Sequence, residues 1–132
     1  MSIGHHSSTA AVILAAWNRW RPTSLRVAEG VHDALRAAIP GLLRSGHDRL
    51  QCSHALAALT LLDGPSLSSP RSAALGLDRA AYRMQRSKRY RLRYQAALAL
   101  HQATSEWPRT APSGLVPASP MTPRSATPSR KA

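Results

Sequence analysis

The chain has 132 residues, enough for one small domain and a tail but too few for two domains of ordinary size. It carries 18 lysine and arginine residues against six acidic residues, which gives a formal net charge of +12 at pH 7. A single cysteine excludes an intrachain disulfide bond, and the absence of phenylalanine limits the core to small and aliphatic side chains with a few tryptophans and tyrosines.

The excess of positive charge predicts attraction to a polyanion, either nucleic acid or an anionic membrane surface. The same composition has a second explanation, because a GC-rich reading frame without an evolved function also encodes much arginine, alanine, serine and proline. No basic segment precedes the apolar residues 10–17, so we expect an intracellular protein, cytoplasmic, nucleoid-associated or nuclear, and not a secreted one.

The first predicted element is a helix over residues 8–20, which follows a flexible N-terminus at residues 1–7. Its apolar run is much shorter than the ~20 residues that span a bilayer, so we predict no integral membrane segment. Trp17 and Trp20 lie three positions apart and therefore share one face of the helix. We expect that face to be exposed and to be a candidate interface for a homodimer.

Two amphipathic helices are predicted next. Residues 23–39 repeat apolar side chains at helical spacing after a possible N-cap at Thr23 or Ser24, and Pro40 ends or kinks the helix. Asp48 is the N-cap candidate of the following helix, which is expected to end at a Gly-Pro pair.

The arginine-rich part of the chain follows. Residues 69–76 are predicted to form a two-turn helix, with Ser69 as its N-cap and Pro70 at the first helical position. Residues 78–107 contain no glycine or proline, so one long helix can follow. Within it, residues 89–96 alternate in a way that is also typical of a strand, but a lone strand lacks a partner, so we favour a helix.

The end of the chain is rich in proline, serine and threonine. Six of the ten prolines lie at or after Pro108, so we expect residues 107–132 to be a disordered basic tail. The fold class predicted for the chain is all-α: a small bundle of four to five helices over residues 8–106, followed by this tail.

Residues 68–87, SSPRSAALGLDRAAYRMQRS, contain a small residue followed four positions later by a glycine between two leucines. An apolar anchor, Tyr82, comes six residues after the glycine. This arrangement resembles the helix-turn-helix segment of DNA-binding regulators, with Ser72 in the small position and Gly76 in the turn. The resemblance implies that Asp78 caps a recognition helix, which enters a DNA groove. An ordinary helical hairpin is the alternative, since it also needs a glycine between its helices.

Seven positive side chains and no negative one lie between residues 79 and 93. The candidate nucleic-acid-binding residues are Arg79, Arg83, Arg86, Lys88, Arg89, Tyr90, Arg91 and Arg93. The first three arginines recur at i, i+4 and i+7 and so share a helix face. Guanidinium groups bind guanine bidentately or clamp phosphate oxygens. We therefore expect a nucleic-acid-binding protein, with DNA favoured over RNA, in a regulatory or architectural role.

Two other binding functions remain open. Tyr82, Tyr90 and Tyr94 interleave with the arginines, and aromatic side chains in such an arrangement stack on unpaired RNA bases. Alternatively, the basic helix docks on an acidic protein partner or on an anionic membrane.

An enzyme is not expected, because the six acidic residues are scattered along the chain. Cys52 and His54 lie two positions apart and point in different directions on a helix, which disfavours a nucleophile–base pair. His47 and His54 can share a face, but two ligands do not make a zinc site. We therefore predict no catalytic residue, no metal site and no cofactor.

Overall fold

The computed structural model describes residues 2–101 and 107–108, with side chains from residue 6 onward. This part of the chain forms α1 (Ser2–Trp20), α2 (Val31–Arg44), α3 (Arg49–Leu62), α4 (Pro70–Arg86), α5 (Lys88–His101) and a short 3₁₀ helix, Gly64–Ser68. Residues 89–96 are helical, and none of the described residues forms a strand. The predicted all-α fold of four to five helices is confirmed.

The central element of the bundle is α3, which contacts each of the other four α-helices. Its buried residues are Cys52, Ser53, Ala55, Leu56, Ala57, Ala58, Leu59 and Thr60. A helix that is apolar around most of its circumference belongs in a core, so the composition of α3 explains its position.

Two helix starts agree with the sequence. Asp48 accepts a hydrogen bond from the Gln51 amide at 2.8 Å, and the Gln51 side chain accepts one from the Asp48 amide at 2.8 Å. This capping box satisfies two amides at the start of α3 and stabilises the helix by about 1 kcal/mol. At α4, the Ser69 hydroxyl accepts from the Ser72 amide at 3.2 Å, and Pro70 is the first helical residue.

The tryptophan face of α1 lies in the core. Trp17 is fully buried, and its indole nitrogen donates a hydrogen bond to Thr60 Oγ1 at 2.9 Å. Trp20 packs edge-to-face on Trp107, with ring centroids 4.8 Å apart. The prediction of an exposed dimer face is therefore wrong, because the domain itself covers both rings. The helix also includes residues 2–7, which the sequence assigned to a flexible N-terminus.

Trp107 belongs to the folded domain, although the sequence placed it at the start of the tail. Its side chain is only 5% exposed, because it packs on Trp20. Pro108, the next residue, is also buried. The rest of the predicted tail, residues 109–132, lies outside the described residues.

The start of α2 differs from the prediction. Gly30 precedes the helix in a left-handed conformation, with φ of 87°, which glycine adopts far more readily than other residues. The segment before it is held outside the helix, because the Ala28 amide donates to the Leu67 carbonyl at 3.0 Å. The predicted N-cap at Thr23 or Ser24 is therefore wrong, since tertiary contacts override the apolar spacing there.

The long helix predicted over residues 78–107 is divided between α4 and α5 at Ser87. The backbone of Ser87 is extended, with φ of −121° and ψ of 109°. Its amide donates to the Arg83 carbonyl at 2.9 Å, and its hydroxyl accepts from the Tyr90 amide at 3.0 Å. One serine thus closes α4 and caps α5, because its short hydroxyl competes with the helix for backbone hydrogen bonds.

Candidate nucleic-acid interface

Gly76 lies in the middle of α4 and not in a turn, since α4 is continuous from Pro70 to Arg86. A Cβ atom on Gly76 would lie 2.7 Å from Leu59 Cδ1 and 3.1 Å from Ser66 Cβ. The glycine therefore allows α4 to pack closely on α3 and on the 3₁₀ helix. The predicted helix-turn-helix, with its turn at Gly76 and its cap at Asp78, is wrong because close packing and not a turn requires the glycine.

The two faces of α4 differ sharply. The buried face consists of Ala73, Gly76, Leu77, Ala80 and Ala81. These positions recur at i, i+3, i+4, i+7 and i+8, which is the stripe of a helix that packs on a core. Arg79, Arg83 and Arg86 are exposed on the remaining surface.

The first turns of α5 add further exposed cations beside those of α4. Tyr90, Tyr94 and Leu98 form the buried stripe of α5. Arg89 and Arg93 lie four residues apart outside this stripe, and Lys88 is exposed at the first helical position. Because one residue joins the two helices, the cations of α5 lie close to those of α4.

A cavity of about 260 Å³ lies between α4 and α5. Its lining includes Arg79 and Arg83 from α4, Arg93 from α5, and Asp63 from the end of α3. We call this space the arginine cavity. A neighbouring hollow of about 200 Å³ shares Arg83 and Arg93 with it and adds Arg89. The structure thus brings together four of the seven predicted cations.

Tyr90 lines both spaces but is only 7% exposed. The Arg83 Cζ atom lies 5.8 Å from the centroid of its ring, within range of a cation–π interaction. Burial raises the pKa of the Tyr90 phenol, Asp63 adds to this effect, and the charges of Arg83 and Arg93 oppose it. The fold and Arg83 cover most of its ring and leave little of it open to a base, and its predicted contact with nucleic acid stays a prediction. Tyr90 supports Arg83.

The other two tyrosines differ from each other in exposure. Tyr94 is buried, and its hydroxyl lies 2.7 Å from His54 Nδ1. Tyr82 is 60% exposed, and the Arg86 Cζ atom lies 5.4 Å from its ring centroid. Of the three tyrosines considered for base stacking, only Tyr82 presents its ring to solvent.

Arg91 contributes to the fold. Its Nη1 atom donates to the Met84 carbonyl at 2.9 Å and to the Gln85 carbonyl at 3.3 Å. The last carbonyls of a helix have no partner within it, and a basic side chain stabilises them. The guanidinium of Arg91 therefore caps the end of α4, and its predicted contact with nucleic acid stays a prediction.

The residues considered for catalysis and metal binding have structural partners. Cys52 is fully buried on α3, and the His54 ring lies against Tyr94. His47 Nδ1 is 3.2 Å from the Leu42 carbonyl, to which it donates. In residues 2–101 and 107–108, no group of three His, Cys, Asp or Glu side chains could hold a metal ion.

Cys52 is expected to resist alkylation in the folded protein. Burial, reinforced by the negative charge of Asp48, raises the pKa of its thiol to about 12, and the thiolate is the reactive species. Labelling with iodoacetamide at mildly alkaline pH, followed by mass spectrometry, should be slow in buffer and complete in urea. Rapid labelling of the native protein would contradict the central position of α3.

Comparison of the chain with protein-family models, with curated proteins and with solved structures found no match. Among the helices of residues 2–101, none combines the length and the apolar character that crossing a membrane requires. We therefore infer a function from the charges and the geometry of α4 and α5 alone.

Proposed function

We propose that the protein binds nucleic acid through exposed cations of α4 and α5. This α4–α5 cationic surface consists of Arg79, Arg83, Arg86, Lys88, Arg89 and Arg93. The observation that carries the proposal is the exposure of all six on two helices joined by one residue, with no acidic side chain between residues 79 and 93. A surface with so large an excess of positive charge attracts polyanions and steers their approach.

The favoured target is duplex DNA, bound through its phosphates. Guanidinium groups form paired hydrogen bonds with phosphate oxygens, and such contacts position a protein on DNA without reading its sequence. α4 is continuous through Gly76, so no turn sets off a separate recognition helix. We therefore propose sequence-tolerant binding and an architectural role.

The salt dependence of binding tests this proposal. Fluorescence anisotropy with a short DNA duplex is expected to give a slope of log affinity against log salt of about −3.6, if about four phosphates are neutralised. Between ~50 and ~200 mM salt, that slope corresponds to a loss of affinity of about 100-fold. A slope near zero would overturn the proposal.

A matched pair of variants separates the surface from the net charge. Replacing Arg79, Arg83 and Arg93 together by glutamine is expected to reduce the slope by about 2.7 and the affinity by about 100-fold. The control variant carries glutamine at Arg19, Arg36 and Arg44, which are exposed on α1 and α2 and carry the same charge. Equal losses in the two variants would show that net charge, and not the α4–α5 cationic surface, is responsible.

Single-stranded RNA is a second candidate, favoured by the exposed ring of Tyr82 beside Arg86. Stacking of a base on such a ring contributes about 1–3 kcal/mol. In the same titration, tighter binding of single-stranded RNA than of duplex DNA, lost in Tyr82→Ala, would select this candidate. A preference for the duplex that Tyr82→Ala does not change would select DNA.

A further inference from the structure

Three arginines line the arginine cavity. Arg79 and Arg83 lie one turn apart on α4, and Arg93 faces the same cavity from α5. A surface that only follows a phosphate backbone needs cations in a row, whereas here arginines of two different helices line one space. We propose that the arginine cavity binds a single phosphate monoester, the terminal phosphate of a nucleic-acid strand. This inference rests on the proposed function and names the group that the α4–α5 cationic surface prefers.

The volume of the arginine cavity suits one phosphate group. Cavities that enclose a drug-sized ligand have volumes of about 300–1,000 Å³, and the arginine cavity, at about 260 Å³, is smaller. It therefore has room for a phosphate and the adjoining atoms of a sugar, while the rest of the strand lies outside. Arg89, in the neighbouring hollow, is in position to meet the next phosphate of that strand.

The charges of the lining favour a monoester over a diester. Three arginines face one carboxylate, that of Asp63, so two positive charges are uncompensated. A phosphate monoester carries about −1.5 to −2 at pH 7 and so neutralises them, whereas a diester within a strand carries a single negative charge. The carboxylate also repels every anion, so binding depends on all three arginines.

Packing orders part of the wall of the arginine cavity, around Arg83 and Asp63, before any anion binds. Tyr90 supports Arg83 from the core, and the Ser66 hydroxyl donates to Asp63 Oδ2 at 2.6 Å. Gly76 also lines the cavity, and its lack of a side chain keeps α4 close to Ser66. Walls that are ordered in advance lose little conformational entropy when a ligand binds.

The test compares two DNA duplexes that are identical except for a 5′-phosphate or a 5′-hydroxyl on one recessed end. The phosphorylated duplex is expected to bind at least about tenfold more tightly, which corresponds to ~1.4 kcal/mol. Arg93→Gln and Arg79→Gln, each tested alone, should bring the ratio of the two affinities to about one. Both side chains are exposed, and circular dichroism should show that the variants remain folded.

The control is Arg86→Gln, which changes the same charge on α4 outside the arginine cavity. It should weaken the binding of both duplexes by a similar factor and leave the ratio of their affinities unchanged. Equal binding of the two duplexes, with the salt slope intact, would overturn the terminal-phosphate site while the proposed function stands. If neither duplex binds, both proposals fail. If Arg86→Gln lowers the ratio of the two affinities as much as Arg93→Gln does, charge alone explains the preference for the phosphate, and the terminal-phosphate site is also overturned.

Discussion

Replacement of Trp17 by alanine is expected to lower the free energy of unfolding by about 4 kcal/mol, since deletion of a buried aromatic side chain costs ~3–5 kcal/mol. Trp17 is fully buried, donates to Thr60 Oγ1 at 2.9 Å and joins α1 to α3. Small domains have little stability to lose, often near ~5 kcal/mol in total. We therefore expect the variant to retain only about 1 kcal/mol, so that a measurable fraction of it is unfolded without denaturant.

Urea unfolding followed by far-ultraviolet circular dichroism measures this effect. The midpoint is expected to fall by about 2 M urea, given a slope of ~2 kcal/mol per molar for a small domain. Val12→Ala is the control, because Val12 lies on the same helix with its side chain exposed. A cooperative transition at the wild-type midpoint in Trp17→Ala would show that α1 is not an integral part of the core.

The helix starts that the sequence predicted correctly are those whose signals are local. Asp48 and Ser69 each meet their partner amides within three residues, so the residue types are sufficient to identify the caps. The start of α2 was missed because it depends on the bond between Ala28 and Leu67, which are far apart in the chain. Pro40 does not end α2, which continues to Arg44.

The boundary between α4 and α5 could have been found. Ser87 is a favourable N-cap residue, but the stretch around it lacks glycine and proline, and we interpreted it as continuous. The positions of Arg91 and Tyr90 follow from that boundary. Once the helix breaks at Ser87, Arg91 reaches back to the Met84 carbonyl and Tyr90 turns into the core beside Arg83.

Exposure of the remaining cations follows from their charge, because six arginine and lysine side chains without buried partners belong at the surface. Their convergence does not follow from sequence. Arg93 and Arg79 line one cavity only because the chain turns between α4 and α5. The sequence indicated one straight helix, on which the two residues would lie about 21 Å apart along the axis. The sequence therefore suffices to predict that these cations are exposed, whereas the cavity that three of them line can be found only from the tertiary structure.

Gly76→Val is expected to lower the free energy of unfolding by about 3 kcal/mol. The first added carbon already lies 2.7 Å from Leu59 Cδ1 and 3.1 Å from Ser66 Cβ, and Leu59 is fully buried with little room to move. Overpacking of this kind costs ~1–3 kcal/mol or more, which exceeds the few tenths of a kcal/mol by which valine is a better helix former than glycine. Gly41→Val is the matched control on α2, where a Cβ would meet only Arg44 Nη2, at 3.9 Å, and it should change stability little.

A double variant then distinguishes close packing from a turn at Gly76. If Leu59 is the obstacle, Leu59→Ala creates room for the new valine. The loss of unfolding free energy in the double variant Gly76→Val, Leu59→Ala should then be smaller than the sum of the two single losses by at least ~1 kcal/mol. If Gly76 occupied a turn between two helices, valine would be unfavourable because of the backbone, and removal of Leu59 would not relieve it. Additive losses in urea unfolding would show that Leu59 is not the obstacle to the new side chain. Coupling of the predicted sign would establish that the glycine holds α4, and with it Arg79 and Arg83, against the core.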